Sequence, residues 1–257
     1  MATALVTGGT SGIGAAFARA LAARGDDLVL VGRNGDRLDQ TAAELKERHG
    51  VAVEVIVADL GQRADAVRVA ERLSSAERPV DLLVNNAGFG VHVPMTAADT
   101  SPHEYAFDVM CRAVLILSAA AARAMRERGR GSIVNVSSTA GFVTMGTYSA
   151  IKAWATVFTE GLAVELAGSG VTVTALCPGW VRTEFHERAN IATTKIPGAL
   201  WLDADRVVAD CLRDVGRGRV ISLPSRRYQA LISLARHAPR RVVRAASAQL
   251  SSSRHSG

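Results

Sequence analysis

Cysteine is scarce in this 257-residue chain, which has three, at Cys111, Cys177 and Cys211, and no Cys-x-x-Cys pair. An odd, widely spaced set supports neither a disulfide framework nor a metal site, and it fits a reducing cytoplasm. Aromatic residues make up 5% of the chain and do not interleave with basic ones, so a nucleic-acid surface would lack its stacking component and no nucleic-acid partner is expected. Long apolar runs are missing too. The stretch 113–122, interrupted by Ser118, falls short of the roughly 20 residues that a bilayer crossing needs. No basic segment precedes an apolar one at the start, so membrane-spanning and secreted readings are not expected. Acids are absent after Asp214, where nine of the 30 basic residues lie. The remaining 21 face 24 acids, a balance of −3, so the formal charge of +6 belongs to the tail.

What the chain does have is apolar material, 48% against 21% charged, enough to bury a sizeable core. Apolar runs rich in β-branched residues fall at 4–7, 28–31, 51–57, 82–84, 132–136, 171–175 and 220–223. Amphipathic stretches lie between them at 13–24, 36–49, 63–75, 103–128 and 148–167. Gly25, Gly50 and Gly129 stand where a left-handed residue would close a helix. The alternation predicts an α/β fold, a doubly wound, seven-stranded parallel sheet covered on both faces. No repeat and no linker appears before the serine-rich end, 247–257. Residues 1–224 are expected to form one domain and 225–257 a basic, partly helical extension whose last ten or so residues are mobile.

The first strand runs into Thr7-Gly8-Gly9-Thr10-Ser11-Gly12-Ile13-Gly14 and then an alanine-rich helix. Glycines at such a turn let the backbone approach a pyrophosphate, whose charge is favoured by the unpaired amides and positive end of the helix. Gly8, Thr10, Ser11, Gly12, Ile13 and Gly14 are therefore candidate cofactor contacts. The second strand ends at Gly32-Arg33, where an enzyme using NAD would place a carboxylate for the ribose hydroxyls. A guanidinium there suits a 2′-phosphate, so NADP(H) is the expected cofactor. Asp59 and Leu60, after the third strand, are candidate adenine contacts.

Tyr148 and Lys152 stand one helical turn apart and share a face. A phenol near its usual pKa of ~10 is a poor base at neutral pH, and an adjacent ammonium favours the phenolate. Lowering it by ~3 units needs about 4 kcal/mol, more than one exposed lysine supplies and within reach of a desolvated lysine beside a cationic nicotinamide. Ser138 follows the strand 132–136, at the strand ends that face a ligand crevice. Its hydroxyl can donate to an oxygen gaining charge. Ser137 is the competing serine.

In order and spacing these residues resemble the short-chain dehydrogenase/reductase family over residues 3–223. The resemblance rests on the glycine turn, Asp59, Asn85-Asn86-Ala87-Gly88, Ser138, Tyr148 with Lys152, and Pro178-Gly179-Trp180-Val181-Arg182-Thr183. It implies a Rossmann-type sheet of order 3-2-1-4-5-6-7, and dimers or tetramers joined through the helices at 103–128 and 148–167. It makes Tyr148 the general acid/base, Ser138 the group that polarises a carbonyl, and Lys152 the holder of the nicotinamide ribose. Asn86, Ala87 and Gly88 would support the cofactor, as would Pro178 and Gly179, while Val181 and Thr183 would receive its carboxamide. Two departures stand out: Met110 replaces an asparagine that many members use in a proton relay, and the Ser138–Tyr148 interval is a few residues short. A trimmed loop after Phe142 is expected, with little change in geometry.

Phe89, His92, Phe142, Met145 and Trp180 are candidate substrate-pocket walls beside Val91, and 185–201 a lid. They imply a hydrophobic ketone or aldehyde substrate. Reduction or oxidation by hydride transfer is the favoured activity. Epimerisation or elimination using the same tyrosine, a non-catalytic dinucleotide sensor, and a membrane-associated scaffold are the alternatives. In the tail, Tyr228, Leu231, Ile232 and Ala235 follow helical spacing among arginines. Packing on the body or on another subunit is the preferred reading, and peripheral contact with anionic lipid the other.

Overall fold

The computed structural model describes residues 2–91, 93–183 and 197–252; the side chains of residue 246 and residues 248–252 lie outside the description. Strands β1 (Thr3–Thr7), β2 (Asp27–Gly32), β3 (Val53–Val57), β4 (Leu82–Asn85), β5 (Gly131–Val136), β6 (Val171–Leu176) and β9 (Ile221–Ser222) form a sheet in the order β3-β2-β1-β4-β5-β6-β9. Each neighbouring pair is parallel. The seven expected strands and their order are present. A separate two-stranded pairing of β7 (Trp180–Val181) with β8 (Trp201–Leu202) was not anticipated.

Residues along each strand divide between two cores. Leu5, Val29, Val31 and Leu83 face helices α3 (Arg63–Leu73), α5 (Ala113–Arg128) and α6 (Gly146–Glu165). Ala4, Val6, Leu28 and Leu30 face α1 (Gly12–Ala23), α2 (Gly35–His49) and α7 (Ala204–Gly216). Helices on both faces explain the unbroken apolar runs, because neither face of a strand meets water. Truncating a fully buried leucine such as Leu5 to alanine is expected to cost about 2–5 kcal/mol. Across the centre, Asn85 Nδ2 donates to Asn135 Oδ1 (2.9 Å) and Ser118 Oγ (3.0 Å), and Asn135 Nδ2 to Thr159 Oγ1 (3.0 Å). These bonds pair the Asn85 and Asn135 amide nitrogens and fix β4 and β5 to α5 and α6.

Helix boundaries follow local chemistry. Asn34 caps α2 by accepting from the Arg37 amide (2.9 Å). Gly50 and Gly129 close α2 and α5 in the left-handed region, at φ 69° each. The expected helix 103–128 is divided. Helix α4 (Ser101–Phe107) passes through a π-helical turn, Asp108–Arg112, into α5. By length and composition alone the run Ser101–Arg128 could cross a membrane, since an 18-residue window within it has a mean hydropathy of 1.6. The apolar runs within it are each shorter, as the sequence showed. Leu117, Ala120, Ala121 and Met125 of that run are buried in the core, so its hydropathy is explained by packing against the sheet.

The extension holds two helices, α8 (Arg226–His237) and α9 (Arg240–Ser252). Helix α8 buries Tyr228 and Ile232, whereas Leu231 is 50% exposed. The expected apolar stripe is therefore narrower than spacing alone suggested. Of the expected mobile end, α9 runs through Ser252, and residues 253–257 lie outside the described residues.

Candidate active site

Sheet order reverses at the β1–β4 junction, and a crevice at such a switch point opens beyond the strands' carboxyl ends. The two strand ends are tied there. Thr7 Oγ1 accepts from the amides of Asn86 (2.9 Å) and Ala87 (3.0 Å), while Asn86 Nδ2 donates to the carbonyls of Thr7 (2.9 Å) and Gly8 (3.2 Å). The glycine turn is folded tightly against this tie. A Cβ on Gly14 would sit 2.1 Å from the Gly8 carbonyl oxygen, a position only hydrogen can occupy. Gly8 and Gly12 have φ of 65° and 54°, which glycine adopts at low cost. The first turn of α1, from Gly12 through Ile13, carries no acidic residue, so its positive end is available to an anion.

Arginines flank the turn. Arg33 is exposed and its Nη1 donates to the Tyr105 hydroxyl (3.0 Å), which donates in turn to Asp59 Oδ1 (2.8 Å). Arg37 donates to the Thr10 carbonyl (3.3 Å). Neither Tyr105 nor Arg37 was singled out from sequence. Arg37 had a signal, one helical turn beyond Arg33; Tyr105 had none, being 72 residues from its partner. Leu60, beside Asp59, is buried in the core.

The two serines at the end of β5 diverge. Ser137 is buried and donates to the Lys152 carbonyl (2.7 Å), anchoring α6. Ser138 turns the other way. Its hydroxyl accepts from the Ala140 amide (3.1 Å), lies 3.5 Å from the Pro178 carbonyl, and is hydrogen-bonded to the Tyr148 side chain. A short helical turn, Thr139–Phe142, lies directly on α6, where a Cβ at Gly141 would meet the Lys152 carbonyl carbon at 2.8 Å. That close approach packs the turn after Ser138 onto the helix that carries Tyr148 and Lys152.

Lys152 is buried; its Nζ donates to the Val136 carbonyl (2.8 Å) and lies 5.6 Å from the Tyr148 ring centroid. Burial pulls the ammonium down to about 8. Burial also pushes the Tyr148 phenol up to about 12, against the opposing pull of the Ser138 hydrogen bond. Lys152 is therefore still charged and Tyr148 protonated at neutral pH, the state in which the pair can give a proton. Met110, on the π-helical turn, is buried with its thioether against Gly88, where a Cβ would be 3.0 Å from Sδ. It is a packing residue and offers no amide donor.

The segment after β6 closes the crevice from the other side. Thr183 lies beside Gly12, whose Cβ position is 3.2 Å from Thr183 Cβ. Val181 is buried, and Thr183 Oγ1 lies 3.5 Å from its carbonyl. Gly179 leaves room for the Tyr228 ring, which a Cβ would meet at 1.9 Å. The Tyr228 hydroxyl accepts from the Trp180 amide (3.1 Å) and donates to the Leu200 carbonyl (2.8 Å).

The candidate pocket walls have separate packing partners. Phe89 stacks on Tyr105, with centroids 5.5 Å apart. Phe142 lies under the Arg236 guanidinium at 5.4 Å, and Trp180 packs near Trp201 at 6.0 Å. Met145 precedes α6 as its N-cap. His92 lies outside the described residues, as do residues 185–196 of the expected lid.

The family model described as short chain dehydrogenase matches residues 2–193. The chain belongs to the short-chain dehydrogenase/reductase family. It is an oxidoreductase of that family with a Rossmann-type fold. A very-long-chain 3-oxoacyl-CoA reductase of Anas platyrhynchos is 37% identical over 194 residues, covering 72% of this chain and 62% of that longer protein. A short-chain dehydrogenase of Sphingobium yanoikuyae solved in complex with NADPH is 36% identical, with a TM-score of 0.83 over 92% of this chain and 94% of that one. A bulky-bulky ketone specific alcohol dehydrogenase of Comamonas testosteroni is 31% identical, with a TM-score of 0.80 over 94% and 98%. A family member of Burkholderia phymatum, 26% identical with a TM-score of 0.79 over 91% and 92%, was solved with NAD. Members similar to this chain thus bind either dinucleotide.

Proposed function

We propose that this chain is an NADP(H)-dependent reductase that interconverts a hydrophobic ketone or aldehyde and its alcohol. The observation that carries the reading is the joined set of Ser138, Tyr148 and Lys152 at the strand ends, on the same crevice as the glycine turn. The donor chemistry fits a dinucleotide phosphate: a helix start without acids, flanked by Arg33 and Arg37. Gly8, Thr10–Gly14, Arg33, Asp59, Asn86–Gly88, Lys152, Pro178, Gly179, Val181 and Thr183 would hold the cofactor. When bound, that cofactor supplies or accepts the hydride. Ser138 donates to the substrate oxygen as charge develops on it. Tyr148 gives that oxygen its proton in reduction and takes it back in oxidation. Lys152, held by the Val136 carbonyl, steadies the phenolate left behind.

The apolar character of Phe89, Phe142, Met145 and Trp180 supports a hydrophobic substrate, in line with the acyl and bulky-ketone names of two similar proteins. The free, buried state of Cys111, Cys177 and Cys211 supports a cytoplasmic location. Exposed apolar residues on α5 and α6, namely Leu115, Val157 and Val164, support a homodimer or homotetramer joined through those helices. The buried face of α8 supports an extension that belongs to the body of the enzyme. Outward-facing Leu231, Leu234 and Val242 among arginines are what a lipid contact would use.

An NADPH-oxidation screen against long-chain, steroid-like and small polar carbonyls tests the reading. Turnover of the first two classes is expected. A preference for small polar carbonyls would overturn the substrate class, and no turnover of any carbonyl would overturn the activity.

A further inference from the structure

We propose that Tyr105 is a specificity-determining residue that positions Arg33 to read the 2′-phosphate of NADP(H). This rests on the NADP(H) reading of Arg33 and assigns a function to a residue outside every recognised motif. The Tyr105 ring is held on two sides. Phe89 stacks on it at 5.5 Å with an interplanar angle of 27°, and Gly61 is so close that a Cβ would lie 2.1 Å from the ring. With the ring fixed, the place of its hydroxyl is fixed too.

That hydroxyl is a two-way bridge. It donates to Asp59 Oδ1 at 2.8 Å and accepts from Arg33 Nη1 at 3.0 Å. A phenol whose proton is drawn toward a carboxylate is a better acceptor, so the two bonds reinforce each other. The Asp59 oxygen is itself set by the Gly61 amide at 2.9 Å. The chain Gly61–Asp59–Tyr105–Arg33 thus runs from the loop after β3 to the end of β2.

Arg33 is otherwise a long, exposed side chain at a strand end, and such a side chain loses rotamer freedom when it clamps an anion. Anchoring Nη1 to Tyr105 beforehand lowers that loss and leaves the other guanidinium nitrogens for a phosphate. Tyr105 also separates Arg33 from the Asp59 carboxylate. Without the hydroxyl, the guanidinium would be drawn to that carboxylate and away from the ligand. NADH, which has no 2′-phosphate, would gain nothing from this arrangement. The effect of Tyr105 is therefore selective between the two dinucleotides.

The test is equilibrium binding of NADPH and of NADH, followed by nicotinamide fluorescence, to the wild type, Tyr105→Phe and Arg33→Ala. Phenylalanine keeps the ring stacking and removes only the bridge. In Tyr105→Phe the Kd for NADPH is expected to rise about five- to tenfold while that for NADH stays within about twofold. A wild type that prefers NADH, or an Arg33→Ala variant that keeps the NADPH preference, would overturn the cofactor reading on which the proposal stands. If Arg33→Ala loses the preference and Tyr105→Phe keeps it, the assignment of Tyr105 alone is overturned. Equal weakening of both dinucleotides in Tyr105→Phe would show a structural role only, and also overturns it.

Discussion

Ser247 in α9 accepts a 3.1 Å hydrogen bond at its hydroxyl from the backbone amide of Thr144, four residues before Tyr148. The extension is therefore tied to the shortened loop between Ser138 and α6. Tyr228 fills the space over Gly179, and Arg236 covers Phe142 and reaches Glu160 of α6 at 3.6 Å. Three tail residues, Ser247, Tyr228 and Arg236, thus place the extension against the candidate site.

Removing residues 225–257 should consequently lower carbonyl reduction at least tenfold in vesicle-free buffer, because Tyr228 and Ile232 leave a cavity and the 142–145 loop loses its support. Steady-state assays alongside co-sedimentation with anionic vesicles check this. A truncated protein that keeps its turnover and loses only vesicle binding would make the tail a lipid arm instead.

Substituting Met110 by asparagine places an amide in a buried apolar setting against Gly88. Stability should fall by about 1–3 kcal/mol, the cost of a buried polar group lacking partners. Turnover should hold or rise if the new amide supports a proton relay. Denaturant melts and kcat measured on the same preparation check both. A reduced kcat at unchanged stability would contradict the packing role assigned to the thioether.

The pH dependence follows from Lys152. Its folded pKa is lowered to about 8, so the ammonium is present below that pH and lost above it. The kcat/KM for NADPH, which reports the free enzyme, should fall as pH rises through about 8. Lys152→Met should remove that limb along with most of the activity. A profile flat to pH 9.5 would contradict the assignment of Lys152 to cofactor binding.

Sheet and motif positions were legible because they are local. Strand runs such as Leu28–Val31 are apolar throughout for a buried parallel sheet, and Tyr148 and Lys152 are one turn apart wherever the helix lies. Choosing Ser138 over Ser137 drew on the family resemblance, and the structure supplies the physical reason: adjacent residues at a strand end point to opposite sides. Long-range pairings were hidden. Nothing near Tyr105 announces Arg33 or Asp59, and nothing near Gly179 announces Tyr228. Helix α7 was overlooked despite a visible signal, since Asp203 caps it at the Arg206 amide (2.9 Å) and Val207, Val208 and Cys211 follow helical spacing. The two-strand pairing of Trp180–Val181 with Trp201–Leu202 is too short to leave a pattern.

The central claim is that Tyr148 exchanges the proton that accompanies hydride transfer. The most direct measurement is NADPH oxidation by Tyr148→Phe with a turned-over hydrophobic ketone, beside NADPH binding by fluorescence. Reduction should drop by at least about 10²-fold, the scale of a lost general acid, while NADPH affinity stays within a few fold. Turnover comparable to the wild type, with the cofactor bound equally well, would contradict the account.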